Sequence, residues 1–212
     1  MLTPSSSSAN IGPQHERAGR ELSQADAEAA LPERPQGAQE RSTEVTASHR
    51  KTDPESCLEV LRIGPTYDEL ITDRVASATT AWYVQTDGGR QISVGIDSFP
   101  DEIGPDLLDR AGAALGECSS FSMTGLGDTG HFDDRLWADG RPAPTLGDQG
   151  FAVRVTQLAQ QDRKTVRLYN DYLVVRAGHN LITVTVSHWD ESMTFQVLQD
   201  HATTVLDQLE HQ

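Results

Sequence analysis

Apolar and polar residues alternate along two stretches of the chain, and this alternation constrains the fold more than any other feature of the sequence. The stretches are 91–99 (QISVGIDSF) and 181–187 (LITVTVS). A period of two is typical of a strand with one buried face. Turn-forming residues precede each stretch, at 87–89 and 178–180, and the aromatic and β-branched segment 81–86 completes a hairpin with 91–99. The pattern predicts an antiparallel β-sheet.

Two other stretches have the period of an amphipathic helix. Leu107, Ala111, Ala114 and Cys118 recur at spacings of four, three and four, and 192–210 repeats its apolar residues in the same way. Further strands are predicted at 121–124, 151–155, 166–168 and 172–176. This order predicts an α+β domain over 55–212, an antiparallel β-sheet with helices packed on one face.

The first 54 residues differ in composition from the rest. They contain no Phe, Trp or Tyr and are rich in Ser, Glu, Gln and Ala. Such a segment has little apolar surface to offset the entropy lost on ordering. We predict that 1–54 form a disordered tail or stalk. The first twelve residues lack the basic and apolar regions of a signal peptide, which predicts either a cytoplasmic protein or one whose export segment is missing.

Charge and hydropathy exclude several classes of function. Asp and Glu outnumber Lys and Arg by 32 to 17, which gives a net charge of −15. Nucleic-acid binding needs a basic surface, so we expect no nucleic-acid partner. No apolar run reaches the roughly 18 residues of a membrane-spanning helix, so we expect no transmembrane segment. Two cysteines are too few for a zinc ribbon.

The Gly-, Asp- and Pro-rich segment 125–149 is predicted to be a long loop with a possible short strand at 132–137. It contains a G-x-G-x-x-G pattern, from Gly125 to Gly130. A dinucleotide site needs a helix directly after this pattern, and none is predicted. The segment also holds four possible metal ligands: His131, Asp133, Asp134 and Asp139. They lack the spacing of a zinc or calcium site, so solvated side chains are the favoured interpretation.

The sequence offers no set of catalytic residues. It has no G-x-S-x-G motif, and its seven histidines are scattered. We therefore predict no catalytic residues, no metal site and no cofactor, and a protein that is not an enzyme. Trp137 lies in the predicted loop region, and it is the tryptophan best placed to line a ligand groove. It is our candidate for ligand binding.

Cys57 and Cys118 are the only cysteines. One opens the predicted domain and the other ends a predicted helix. Two separate buried thiols are the ordinary interpretation, because a free Cys behaves as a small hydrophobe. The alternative is one disulfide, which would join the entry segment to the helix end. A single pair at these positions favours the disulfide, and a disulfide would indicate an oxidising compartment.

Four stretches resemble the PknH-like extracellular sensor domain of actinobacteria and its lipoprotein relatives. They are 56–58 (SCL), 92–123 (ISVGIDSFPDEIGPDLLDRAGAALGECSSFSM), 146–155 (LGDQGFAVRV) and 172–186 (YLVVRAGHNLITVTV). The resemblance implies an extracellular α+β sensor domain, tethered by a stalk to a lipid anchor or a kinase, with a cleft for an unknown ligand. Cys57 and Cys118 match the positions of a family disulfide. A second disulfide of the kinase-linked members has no counterpart here.

Together these observations predict a non-enzymatic, sensor-like or ligand-binding domain outside the cytoplasm, displayed on a flexible stalk. Its expected partner is a small molecule or a component of the cell envelope, and a missing anchor would tether it to the membrane. Two alternatives stay open. One is a metal-dependent hydrolase that uses the acidic segment 125–149, and the other is a cytoplasmic interaction protein.

Overall fold

The computed structural model describes residues 17–41, 48–61, 70–85, 89–127, 130–161 and 164–212. In chain order its elements are α1 (Gln24–Ala29), β1 (Gln39–Glu40), β2 (Ser48–Asp53), α2 (Cys57–Val60), β3 (Ala76–Val84), β4 (Arg90–Ser98), α3 (Asp106–Ala114), β5 (Phe121–Gly127), β6 (Gly130–Arg141), β7 (Gln149–Gln161), β8 (Lys164–Ala177), β9 (Asn180–His188) and α4 (Gln196–His211).

The nine strands form one sheet in the order β1-β3-β4-β9-β8-β7-β6-β5-β2. All neighbouring strands in this order are antiparallel. The two alternating stretches of the sequence are β4 and β9, and they pair with each other in the interior of the sheet. The predicted α+β class with an antiparallel sheet is confirmed.

The helices pack on both faces of this sheet, so the prediction of one helical face is wrong. Helices α1 and α4 share a core with β3, β4 and β9, and we call this side the α4 face. Helices α2 and α3 share a second core with β6 and β7 on the opposite side, the α3 face. The reason lies in β8, where Leu173 and Val175 are buried on the α4 face and Val174 on the α3 face. Successive apolar residues in a strand need cover on both sides.

Residues 17–31 form an N-terminal strap that is bound to the turn between β8 and β9. The side-chain amide of Asn180, which is fully buried, donates to the carbonyls of Ala18 (2.7 Å) and Arg20 (2.8 Å). The His179 N–H donates to the carbonyl of Gly19 at 2.9 Å. Within the strap, α1 begins after Ser23, which forms a capping box with Asp26.

The predicted disorder of 1–54 is therefore wrong for the strap and for β2. The strap contributes four buried side chains to the α4-face core: Ala18, Leu22, Ala27 and Ala30. The prediction relied on the scarcity of large apolar residues, but alanine can fill the space where a backbone approaches a sheet closely. Hydrogen bonds to a buried asparagine add to this small core contact. Residues 1–16 and 42–47 lie outside the described residues.

Most of the segment 125–149 is strand rather than loop. Strands β5 and β6 form a hairpin whose last described pair is Gly127 with Gly130, and β6 continues to Arg141. A Cβ at Gly125 would lie 2.5 Å from the ring of Phe132, so the glycine gives this aromatic ring room to cross β5. The glycines are thus part of a sheet, and Trp137 lies within β6.

A disulfide joins Cys57 to Cys118, as the sequence pattern favours and the family resemblance implies. It connects α2 to the segment that follows α3, with a Cα–Cα distance of 5.5 Å. Both cysteines are fully buried in the α3-face core. The disulfide therefore holds the two helices of that face together, on the side of the sheet opposite to α4.

Candidate functional site

Among the described residues, the helices cover only part of the width of the α4 face. Helices α1 and α4 lie over β3, β4, β9 and β8, while the strands beyond β8 present side chains to solvent on this face. Leu158 on β7 is 45% exposed and Leu126 on β5 is 41% exposed. The strand register places both leucines on the α4 face, beyond the strands that the described helices cover.

A groove of about 370 Å³ lies where the covered part meets the open part. Its lining residues are Trp137, Thr156, Leu158, Arg167, Tyr169 and Glu191. The strand register places three of them in one row across the sheet, because Trp137 pairs with Thr156 and Thr156 pairs with Tyr169. Paired residues of antiparallel neighbours point to the same face. Glu191, in the loop between β9 and α4, completes the lining of the groove.

Tyr169 forms the rear of the groove and is held rigidly. Its side chain is 5% exposed. Its ring stacks on the imidazole of His188, with centroids 5.6 Å apart and an interplanar angle of 25°. The guanidinium carbon of Arg154 lies 5.3 Å from the centroid of the same ring, within the range of a cation–π contact. Tyr169 therefore offers a preorganised surface.

Behind Tyr169 lies a buried network of three charged or polar residues. Arg154 Nε and Nη2 donate to the two carboxylate oxygens of Asp171, each at 2.7 Å. His188 Nε2 donates to Asp171 Oδ2 at 3.0 Å. Burial raises the pKa of Asp171, but the hydrogen bonds from Arg154 and His188 outweigh burial and hold this pKa below its usual range. The hydrogen bond with Asp171 raises the pKa of Arg154.

Arg154 also fixes the loop that carries Glu191. Its Nη1 donates to the carbonyl of Glu191 at 2.8 Å, and its Nη2 donates to the carbonyl of Met193 at 2.8 Å. One buried guanidinium thus determines where Tyr169 and the backbone of Glu191 stand relative to each other. The side chain of Glu191 is left at the surface, where it pairs with Arg167 at 3.8 Å.

The chemistry of the groove suits binding. The Asp171–His188 pair resembles a carboxylate–histidine base, but His188 is 2% exposed and lies behind Tyr169. Its Nδ1 has no hydrogen-bond partner among the described residues. A general base must come within hydrogen-bond reach of a substrate, and the ring of Tyr169 stands between His188 and the groove.

The structure does not bring the predicted site residues together in one site. Trp137 lines the groove, half-buried on the open part of the α4 face. Asp134 points to the opposite face from Asp133, because successive strand residues alternate. Asp139 pairs with Arg141 at 2.7 Å. Among the described residues, no group of three or more His, Cys, Asp or Glu side chains could hold a metal ion.

The glycine pattern at 125–130 lies in the β5–β6 hairpin, where strand β6 follows it. The helix that a dinucleotide site needs does not follow in the described residues up to Arg141. Residues 128 and 129 lie outside the described residues.

Sequence reasoning missed Arg154, Asp171 and Tyr169. A signal was present, because Asp171 and Tyr169 have the same strand parity as the apolar Leu173 and Val175. A charged side chain on the buried face of a strand indicates that a partner of opposite charge is buried beside it. The pairing of β7 with β8 supplies that partner by placing Arg154 opposite Asp171.

A larger cavity of about 660 Å³ lies between the segment after β4 and α3. Its apolar members Phe99, Ile103 and Leu107 are already buried in the α3-face core. Four of its remaining lining residues are acidic: Asp73, Asp101, Glu102 and Asp106.

None of the helices in the described part of the chain has the length and apolar character that a membrane span requires.

The fold is that of a known extracellular domain. A crystal structure of the extracellular domain of PknH from Mycobacterium tuberculosis aligns with a TM-score of 0.64 and 14% identity, over 92% of this chain and 100% of that chain. An Rv0999 ortholog from Mycobacterium smegmatis, a putative uncharacterized protein, aligns with a TM-score of 0.42 and 12% identity, over 80% and 85% of the two chains.

The predicted resemblance is confirmed at the level of the fold. No protein-family model matches the chain, and no curated protein matches it in sequence.

Proposed function

We propose that this protein is a sensor-like domain that binds a ligand outside the cytoplasm, and that the Trp137 groove is its binding site. The observation that carries the proposal is the groove itself: a half-buried Trp137 and an exposed Leu158 beside an immobilised Tyr169. Apolar lining with a few placed polar groups is typical of small-molecule sites. The shared fold with the PknH extracellular domain supports the proposal.

The location outside the cytoplasm is supported by the Cys57–Cys118 disulfide, since such bonds persist in oxidising compartments. Alkylation of the protein freshly extracted from its host without reductant, followed by intact-mass measurement, tests this point. We expect no label on either cysteine. Two labelled thiols would overturn the location and favour the cytoplasmic interaction protein.

We also propose that the chain before Arg17 is the link to an anchor. The strap supports this role, because it fixes residues 17–31 to the domain and leaves one defined point from which the link departs.

The groove is tested with a pair of matched leucine variants. Small molecules from the host's envelope fraction are incubated with the immobilised protein, and retained compounds are identified by mass spectrometry. We expect Leu158→Ala and Trp137→Ala each to lose the retained compounds. Leu126→Ala is the control, because Leu126 has similar exposure on the same face but does not line the groove.

Equal retention by the wild type and the Trp137 and Leu158 variants would overturn the proposed binding site. Turnover of a retained compound, dependent on the groove, would overturn the proposal that the protein is not an enzyme.

A further inference from the structure

The described lining of the groove carries one cation and one anion. Arg167 and Glu191 stand side by side at its edge, with Nη1 and Oε2 3.8 Å apart. The other four lining residues are uncharged: Trp137, Thr156, Leu158 and Tyr169. A ligand with a single charge of either sign therefore meets one like charge at this edge.

The pair is available to a ligand because it contributes little to the fold. The side chains of Arg167 and Glu191 are 62% and 74% exposed. An exposed ion pair is worth at most about 1 kcal/mol, so a ligand that offers each side chain a new partner loses little by separating them. The backbone of Glu191 stays in place during this exchange, because its carbonyl is bound by the buried Arg154.

The apolar part of the groove lies directly beside these charges. On β8, Arg167 and Tyr169 occupy successive positions of one parity, and Leu158 of β7 is paired with Arg167. The apolar surface of Leu158, Trp137 and Tyr169 therefore begins next to the guanidinium. At about 370 Å³ the groove is at the lower end of the range of small-molecule sites, roughly 300–1,000 Å³.

We infer that the groove binds a small zwitterion with an apolar side group, as an apolar α-amino acid has. The ligand's carboxylate lies against Arg167, its ammonium against Glu191, and its side group against Trp137 and Leu158. The net charge of −15 supports this choice over an anion, which the field of the whole molecule repels. The inference rests on the proposed function and names the ligand class of the same groove.

The test is an NMR titration of the full chain that follows the indole signal of Trp137. The probes are phenylalanine and three derivatives. The amide lacks the carboxylate, the N-acetyl derivative lacks the ammonium charge, and the N-acetyl amide lacks both. We expect phenylalanine to bind with a Kd on the order of 1 mM or below. Each singly charged derivative is expected to bind about tenfold more weakly, through the loss of one charge-assisted contact.

Two variants assign the charges. In Arg167→Gln the preference for phenylalanine over its amide disappears, and in Glu191→Gln the preference over the N-acetyl derivative disappears. Arg34→Gln and Glu40→Gln are matched controls, because Arg34 and Glu40 form an exposed ion pair at 3.2 Å, and Glu40 lies on the edge strand β1, four strands away from β8. Both controls retain both preferences.

Three results would overturn the inference that the ligand is a zwitterion. They are equal binding of all four probes, tightest binding of the uncharged probe, and no binding of phenylalanine. Those results leave the proposed function standing if envelope compounds are still lost in Trp137→Ala. If phenylalanine leaves the indole signal of Trp137 unshifted and Trp137→Ala still retains the envelope compounds, both proposals fail.

Discussion

Two arginine–carboxylate pairs lie on either side of Tyr169, and they differ in almost every physical respect. Arg154 and Asp171 are buried, with side chains 7% and 0% exposed and two hydrogen bonds of 2.7 Å. Arg167 and Glu191 are exposed and 3.8 Å apart. The buried pair holds the groove in shape, whereas the exposed pair is free to exchange partners. The same two chemical groups thus serve as support in one place and as recognition in the other.

Breaking the buried pair has the largest expected effect. Arg154→Met leaves the Asp171 carboxylate buried with only His188 as a partner, and removal of one member of a buried pair costs about 3–5 kcal/mol. Urea denaturation measures this loss. The double variant Arg154→Met/Asp171→Leu is expected to lose much less, since no unpaired charge remains. A single variant within 1 kcal/mol of the wild type would contradict the supporting role.

Removal of the disulfide is expected to have the second-largest effect on stability and to leave both arginine–carboxylate pairs in place. Replacing Cys57 and Cys118 by alanine together removes a cross-link between residues 61 apart in sequence, at a cost of about 2–4 kcal/mol. Binding in the groove should be unchanged below the unfolding transition, because the disulfide lies on the α3 face. A loss of groove binding in the folded variant would show that the two faces are coupled.

Lowering the pH is expected to decrease the stability that the buried Arg154–Asp171 pair contributes. The pKa of Asp171 is lower in the folded state than in the unfolded chain, where it is about 3.9. Its contribution to stability is complete well above that value and is lost as the pH falls through it toward the folded-state pKa. Denaturation measured between pH 6 and pH 3 should be less pH-dependent in Arg154→Met/Asp171→Leu. An identical profile would contradict the lowered pKa.

The exposed pair should matter least for stability. Arg167→Gln and Glu191→Gln are each expected to change the free energy of unfolding by less than about 0.5 kcal/mol, while they alter groove binding. Thermal denaturation in the absence of ligand measures this change in stability. A loss above 1 kcal/mol would mean that this pair, too, supports the fold.

The sequence predicts the sheet well because its signal is local. The alternation in 91–99 and 181–187 identifies β4 and β9, and the spacing of Leu107, Ala111 and Ala114 identifies α3. The disulfide is also foreseeable, because the chain has only one pair of cysteines. These features depend on residues that are neighbours in sequence or are unique in the chain.

The site is harder to predict because it depends on register. Trp137 could be selected as a candidate, but for the wrong reason, since it lies in a strand and not in a loop. Its companions Thr156 and Tyr169 come next to it only through the pairing of β6, β7 and β8. The strap fails in another way, because four buried side chains, three of them alanine, give no strong hydrophobic pattern.

The position of the strap determines where mechanical load enters the domain. Tension on the chain before Arg17 enters the domain through the hydrogen bonds of the strap, among them those from the buried Asn180 amide at one end of β9 and the one from the Ala18 N–H to Glu210 on α4. His188, behind Tyr169, is eight residues away along this strand, a distance of about 26 Å. Pulling from the N-terminus would therefore load the β8–β9 turn and the end of α4, whereas the groove lies at the far end of β9.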